Sequence, residues 1–415
     1  MTKRWFLGVV AALAVLAQSA PPVWAQQTSP NWTSCNNEGD AVARDVQITA
    51  CTAIITAKSE NSKNLAVAYN NRGSAYSKNG DNDKAIVDFD QAIKLNSQYV
   101  PAFINRGNAY VDKGDYDRAI PNFNEAIRLD PKQASAFVGR GNASLGKGDP
   151  DRAMVDFEQA IGADPKSPAA WDGRGNAYAR KGEYDKAISE YTQAIQFDPK
   201  YVKAIVDRGN AYLLKRDYDK AVAEYNAALG VNPQYAPALF YRAIADDRKG
   251  DLDKAIADYT EAIKINPSYE SAYYNRAGAY RRKNDYDRSM ADYGEAIRIN
   301  PENAATYSTR CFTRVFFGRD LQAAVEDCNQ SLKLQPGSTV AYDDRCDAYY
   351  KLGQYDNAIA DCTAAVNLSP KFAGPLYVRG LAKKKKGDAT ADADIAAAKE
   401  LQADVEAQYS SYGIK

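Results

Sequence analysis

The chain has 415 residues, of which 26% are charged and 45% apolar, and its 53 Lys and Arg residues balance 53 Asp and Glu residues. This balance argues against a nucleic acid or an anionic membrane surface as the main partner. The sequence contains no histidine, which excludes histidine-based acid–base catalysis and most zinc sites. It also lacks a phosphate-binding loop and a metal-ligand cluster, so we expect no metal and no cofactor.

Residues 1–25 have the pattern of a secretory signal peptide. Lys3 and Arg4 form a positively charged N-terminal region, and Trp5 to Ala17 form an apolar stretch. Ala25 is a small residue directly before the expected cleavage site, after which the mature chain would begin at Gln26. The apolar stretch is short for a transmembrane span, so an uncleaved membrane anchor is the less favoured alternative. We expect a mature chain with no stable membrane insertion, periplasmic or secreted.

A six-residue block recurs along the chain with a period of 34 residues. The block at Asn105 to Tyr110 returns at Gly139 to Ser144, Gly173 to Tyr178 and Asp207 to Tyr212. A turn such as Gly114-Asp115 follows each block, and an Asp-Pro or Asn-Pro pair closes most units. Apolar and small residues fall at helical spacing on both sides of the turn, which indicates two amphipathic helices per unit. Because such a hairpin cannot bury its apolar face alone, we expect neighbouring units to stack.

This repeat resembles the tetratricopeptide repeat, whose period and Gly, Ala, aromatic and Pro landmarks agree with it. The resemblance covers nine units over residues 66–372 and implies an all-α fold, a right-handed superhelical solenoid of stacked helix-turn-helix repeats, as in secreted bacterial members of the family. Residues 373–415 are expected to form a divergent tenth repeat and a C-terminal capping helix at Ala391 to Ala407. Residues 26–65 are expected to hold a partial helical repeat that acts as a cap, with residues 26 to about 34 loosely attached.

Six cysteines allow 15 pairings, and the repeat favours one of them. In most units a small residue of the first helix faces an aromatic residue of the second, and in units eight and nine both positions are cysteine. A third pair near the N-terminus repeats the 16-residue spacing. We therefore predict three disulfides, each joining the two helices of one hairpin, as an oxidising compartment permits; free buried thiols are the alternative. The predicted disulfides are Cys35–Cys51, Cys311–Cys328 and Cys346–Cys362.

An arginine precedes the small residue in every unit, from Arg72 to Arg379. In the second helix an acidic residue precedes the aromatic or cysteine residue, so that Asp156 corresponds to Arg140 of the same unit. Asn122 is the exception. We expect these groups to meet across each hairpin as an intramolecular ladder of charge-assisted hydrogen bonds. The alternative is a column of arginines that binds an anionic ligand.

In tetratricopeptide solenoids the first helices line the concave surface, and the resemblance places ligand-binding residues there. The implied positions in four consecutive units are Asn108, Asn142, Asn176 and Asn210. A row of asparagines can pair with the backbone of an extended peptide, because each side chain carries an acceptor and two donors. The alternative is that asparagine is simply tolerated on a solvated face.

The same face is expected to become basic toward the C-terminus, where Arg248, Arg281 and Arg282 project near it. These arginines favour an acidic segment or a carboxylate on the partner, with a merely solvated face as the alternative. Aromatic residues of this region, such as Phe312 and Phe316, either anchor a partner or pack between units.

Taken together, the sequence predicts a non-catalytic protein–protein interaction scaffold of the cell envelope. It would bind an extended segment of a protein or peptide partner in the groove, and would be a monomer. The alternative is a structural or self-associating component of envelope assembly. The repeats leave about 40 residues at either end, too few for an independent catalytic domain, so we do not expect an enzyme.

Overall fold

The structure is a computed structural model that describes residues 29–415, so the predicted signal peptide lies outside the described residues. Within residues 29–415 the chain forms α-helices, one short 3-10 helix at Glu38–Asp40, and no strand, which confirms the predicted all-α class. No helix in this range is both long and apolar enough to cross a bilayer. The helices form two compact units, one ending at Lys186 and the other beginning at Ala187.

The first unit consists of a short N-terminal pair of helices followed by regular hairpins. Its helices are α1 (Pro30–Asn36), α2 (Arg44–Ala57), α3 (Ser62–Lys78), α4 (Asn82–Leu95), α5 (Val100–Asp112), α6 (Tyr116–Leu129), α7 (Ala134–Gly146), α8 (Pro150–Ala163) and α9 (Pro168–Arg180). Helix α10 (Tyr184–Phe197) contains the point at which the two units divide.

The second unit continues the same alternation of first and second helices. Its helices are α11 (Val202–Leu214), α12 (Tyr218–Val231), α13 (Ala236–Lys249), α14 (Leu252–Ile265), α15 (Glu270–Arg282), α16 (Tyr286–Ile299), α17 (Ala304–Phe317), α18 (Leu321–Leu334), α19 (Thr339–Lys351), α20 (Tyr355–Leu368), α21 (Ala373–Lys385), α22 (Ala391–Leu401) and α23 (Val405–Ser411).

The turn inside a hairpin follows from two residues of the repeat. Gly114 adopts φ +72°, a left-handed conformation that side chains disfavour. Asp115 then caps α6, because its carboxylate accepts a hydrogen bond from the backbone N–H of Arg118 at 3.0 Å. The same Gly-Asp sequence gives the same turn before α8 at Gly148 and Asp149.

Stacking within each unit depends on an aromatic wedge between small residues. The ring of Phe123 is fully buried and lies against Gly107 of its own hairpin and Gly139 of the next one. First helices of neighbouring hairpins also contact each other directly, as α5 contacts α7 and α17 contacts α19. We call the solvent-exposed side of this layer of first helices the first-helix face.

The N-terminal segment is better attached than the sequence predicted. Helix α1 begins at Pro30, and Trp32 is only 1% exposed, with its indole Nε1 donating to Glu60 at 2.9 Å. The expectation of loose attachment is therefore wrong from residue 30 onward. Composition alone did not reveal that a buried indole holds this segment.

The C-terminal segment also departs from the expected single helix over residues 391–407. Helix α22 ends at Leu401 and a separate helix, α23, begins at Val405. Helix α22 supplies Asp394, which pairs with Arg379, so it is the second helix of the tenth hairpin. Helix α23 packs on the first helix α21, and the Tyr350 hydroxyl donates to the carbonyl of Lys415.

Candidate functional site

The structure brings each predicted cysteine pair together as a disulfide. Cys35–Cys51 joins α1 to α2. Each of the other two bonds joins the first and second helices of its own hairpin in the second unit. Those bonds are Cys311–Cys328 and Cys346–Cys362. No cysteine of the described chain is left free.

The arginine column forms charge-assisted hydrogen bonds inside the hairpins. Arg242 donates from Nε and Nη2 to the two carboxylate oxygens of Asp258, each at 2.7 Å. The same bidentate pairing recurs, for example between Arg276 and Asp292. At Arg106 the acid is replaced by Asn122, whose Oδ1 accepts from Nε at 2.7 Å.

Neighbouring hairpins are joined by the remaining nitrogen of the same guanidinium groups. Arg242 Nη1 donates to Oδ1 of Asn226 on the preceding second helix at 2.6 Å, and Arg140 Nη1 does the same with Asn124 at 2.8 Å. A further ladder that the sequence analysis missed links Lys181 to Asp151 across hairpins at 2.7 Å. The arginines are therefore engaged within the chain, which favours their structural interpretation over an anion site.

The four predicted asparagines lie at equivalent positions of first helices, but their surroundings differ. In the first unit, Asn108 and Asn142 are exposed, and neither side chain hydrogen-bonds to another described residue. Asn176 is half-buried and donates to the carboxylate of Asp172 at 3.3 Å. Of the three predicted asparagines in this unit, Asn108 and Asn142 are thus the two whose side chains remain available for a ligand.

In the second unit, Asn210 is engaged by its own hairpin. The hydroxyl of Tyr225 donates to Asn210 Oδ1 at 2.8 Å, whereas the equivalent second-helix residue in the hairpins of Asn108 and Asn142 is phenylalanine, at Phe123 and Phe157. Burial raises the pKa of Tyr225, so the phenol remains protonated and able to donate. Asn210 therefore has less hydrogen-bonding capacity for a ligand than Asn108 or Asn142.

The three predicted basic residues of the second unit do not form one anion-binding patch. Arg248 is exposed. The guanidinium of Arg281 stacks over Phe312 and Phe316, at 5.2 and 5.9 Å from their ring centroids. Arg282 pairs with Asp247, with Nη2 and Oδ2 2.6 Å apart. Of the three, only Arg282 is paired with an acid of the described chain.

A cavity on the first-helix face near the C-terminus was not expected from the sequence. It has a volume of about 310 Å³ and lies between α17, α19 and α23. Three aspartates of α19 line it although they are only 6%, 5% and 3% exposed. They are Asp343, Asp344 and Asp347. This part of the face is therefore acidic, whereas a basic face was expected.

The buried position of these aspartates changes their protonation. Burial raises the pKa of Asp343 to about 7, and the Tyr409 hydroxyl opposes this rise. Burial, together with the neighbouring carboxyl groups, raises the pKa of Asp344 and Asp347. Among the described residues no group of three or more carboxylate or cysteine side chains is arranged to hold a metal ion.

A sequence signal for this cavity exists in the repeat register. Asp347 follows Cys346 in the position that Asn108 and Asn142 occupy after their glycines, and Asp344 precedes Arg345 as Asn105 precedes Arg106. Two acids thus replace two amides in one unit. Their burial could not be inferred, because it depends on α23, which lies outside the repeat.

Family models of the tetratricopeptide repeat match separate parts of the chain that together make up more than half of it. Models described as "Tetratricopeptide repeat" match residues 66–99, 104–168, 202–235 and 271–303. A model described as "TPR repeat" matches residues 175–215, 248–280 and 347–387.

One curated relative is the "Small glutamine-rich tetratricopeptide repeat-containing protein 2" of Mycosarcoma maydis, 38% identical over 61 residues. The match spans 15% of this chain and only 17% of that protein. Among solved structures, the APC/C hetero-tetramer Cut9-Hcn1 is 13% identical with a TM-score of 0.50, over 94% of this chain and 97% of that chain. A tetratricopeptide repeat protein from Parabacteroides merdae is 21% identical with a TM-score of 0.46, over 60% of this chain and 99% of that chain. The Cut9-Hcn1 likeness shows a shared fold alone.

Proposed function

This chain belongs to the tetratricopeptide repeat family, and from that premise we propose that it is a non-catalytic scaffold for protein–protein interaction. An extended segment of the partner lies on the first-helix face of the first unit. The observation that carries the proposal is the pair Asn108 and Asn142, exposed at equivalent positions one repeat apart and without side-chain hydrogen bonds to other described residues. Each amide offers one acceptor and two donors, so the pair can hydrogen-bond an extended backbone with little demand on its side chains.

We propose no catalytic role, because the polar groups of the repeats make structural hydrogen bonds within the chain. The sequence contains no histidine, and the buried ladder carboxylates such as Asp156 and Asp292 are hydrogen-bonded to arginines. These carboxylates already accept hydrogen bonds from arginines of the same hairpin, so they serve the packing of the repeats.

We further propose that the protein acts as a monomer in the periplasm or outside the cell, after removal of residues 1–25. Three disulfides support this location, since such bonds persist in oxidising compartments. The alternative, a self-associating assembly component, predicts a molecular mass that rises with protein concentration in sedimentation analysis.

The binding face is tested by affinity capture from extract of the producing cell, with the captured partner then identified and purified. A variant carrying Asn108→Ala and Asn142→Ala should bind this partner about tenfold more weakly or worse, because several hydrogen bonds are lost. A matched control carries Gln159→Ala and Gln196→Ala, which remove two exposed amides from second helices. Circular dichroism verifies that both variants fold.

Cross-linking with mass spectrometry then locates the partner on the protein. Cross-links from α5 and α7, together with retained affinity in the glutamine control, support the proposal. Equal affinity of the asparagine variant and wild type, or cross-links confined to second helices, would contradict it.

A further inference from the structure

The cavity between α17, α19 and α23 contains carboxyl oxygens that lack a hydrogen-bond partner. The Oδ1 atoms of Asp343 and Asp347 are buried and have no hydrogen-bond partner within the described chain. Asp344 accepts one hydrogen bond, from the Ser308 hydroxyl at 2.9 Å. None of the three forms an ion pair with another described residue. Buried carboxylates are costly without a cation or hydrogen-bond donors, so these groups are suited to a ligand that supplies both.

The cations nearest in sequence do not fill this role, since Arg345 donates to both carboxylate oxygens of Asp361. Lys351 lies one turn beyond Asp347 on α19, but its ammonium donates to the backbone carbonyls of Val315 and Tyr412. Burial lowers the pKa of Lys351, while Asp347 opposes this effect. Lys351 is thus hydrogen-bonded elsewhere, and Arg281, which stacks over Phe312, forms no ion pair with the three carboxyl groups. The cavity therefore retains the capacity for a further positive charge.

The rest of the cavity lining is largely aromatic and apolar. The rings of Phe312, Phe372, Tyr409 and Tyr412 line it together with Val340. Phe312 and Tyr412 are arranged edge to face, with ring centroids 6.0 Å apart. Such rings pack against methylene groups, and their faces attract organic cations.

We propose that this cavity binds the ammonium or guanidinium end of an aliphatic chain. The carboxylates of Asp343 and Asp347 accept hydrogen bonds from the charged group, and the aromatic wall contacts the methylene stem. A free diamine and the Lys or Arg side chain of a partner offer the same chemistry. The proposal does not depend on the asparagine pair, which lies in the other unit.

The protonation of the cavity provides a signature of binding. Without a cation, protons neutralise part of the carboxyl cluster, because burial raises the pKa of Asp343 to about 7. The groups that face this cluster are Ser308 of α17, Lys351 of α19, and Tyr409 of α23. A bound cation favours the charged carboxylates, so binding near neutral pH should release protons.

The test is isothermal titration calorimetry at pH 7 with two cations, cadaverine and N-acetyl-lysine methylamide, and with their amine-acetylated neutral forms. The double variant Asp343→Asn, Asp347→Asn should weaken binding of the cations about tenfold or more, because hydrogen bonds to charged groups are lost. The matched control, Glu326→Gln with Glu400→Gln, replaces two exposed carboxyl groups by amides and should bind as the wild type does.

Saturable binding of either cation, absent for the neutral forms, supports the proposal, and the cation that binds identifies the source. Heats measured in two buffers of different ionisation enthalpy should reveal proton release by the wild type, a result that does not depend on any variant folding. Equal binding of the neutral forms, no binding of either cation at millimolar concentration, or unchanged affinity in the Asn variant would overturn the proposal.

Discussion

The wedge of Phe123 between two glycines leads to a quantitative prediction about stacking in the first unit. A Cβ atom on Gly139 would lie 2.2 Å from Cε1 of Phe123, whereas carbon atoms pack best at about 3.5–4.0 Å. The ring is fully buried and has alanines Ala119, Ala126 and Ala136 in the same core cluster, so it has little room to move. Gly139→Ala should therefore force α6 and α7 apart or tilt the ring.

The expected cost of Gly139→Ala is about 1–3 kcal/mol of overpacking, reduced by the roughly 1 kcal/mol that alanine gains over glycine inside a helix. Gly162→Ala is the matched control, because Gly162 lies in α8 with no atom within 4 Å of the added Cβ. The control should gain roughly 1 kcal/mol in stability. The two variants should therefore differ in unfolding free energy by about 1–3 kcal/mol.

Hydrogen exchange of peptides from α6, α7 and α8 is the appropriate assay, because a long repeat chain does not unfold in one two-state step. Gly139→Ala should lower the protection of α6 and α7 relative to the Gly162→Ala control. Adding Phe123→Leu should restore part of this protection by removing the clashing ring. Protection in Gly139→Ala equal to that in the control would refute the wedge.

Three further predictions concern charge, covalent bonds and processing. Carboxyl groups whose pKa is higher in the folded than in the unfolded state bind more protons when the chain is folded. Asp343, Asp344 and Asp347 should therefore lower the stability of the second unit as pH rises from about 4 toward 7. The double variant Asp343→Asn, Asp347→Asn should thus exceed the wild type in stability at pH 8 and lose this advantage at pH 4, as measured by hydrogen exchange of α19. Maleimide labelling of unfolded, unreduced wild-type protein should find no thiol, and substantial labelling would contradict the disulfides. Replacing Cys346 and Cys362 by alanine should cost roughly 3 kcal/mol in local stability, measured by hydrogen exchange of α19 and α20. Mass spectrometry of protein exported by a bacterial host should give a mature chain beginning at Gln26; an unprocessed N-terminus would contradict the proposed signal peptide.

The repeat period made much of the fold predictable from the sequence. A period of 34 residues with two helices per unit places residues about 16 positions apart across the same hairpin. The ladder of arginines and acids, such as Arg276 with Asp292, follows from this register, and the spacing of the cysteines follows it as well. These inferences needed only local spacing repeated many times.

The candidate site was less predictable, because equivalent positions have different neighbours. Asn108 and Asn210 share a register position, yet Asn210 accepts a hydrogen bond from Tyr225 because its hairpin has tyrosine where Phe123 stands in the earlier one. Likewise Arg282 is paired with Asp247, a residue 35 positions earlier on the neighbouring first helix. A single residue in the same or the neighbouring hairpin thus decides whether a side chain of the first-helix face is available to a ligand.

The sequence by itself determined the repeat, the all-α class and the ladder, because each follows from contacts between residues at a constant separation. Only the tertiary structure decided that α23 turns back onto the first helices and encloses Asp343 and Asp347 beside Tyr409 and Tyr412. These contacts join residues more than 60 positions apart, and α23 belongs to no repeat unit. No periodic pattern encodes such a contact, so its burial, and the raised pKa that burial causes, emerge only from the folded chain.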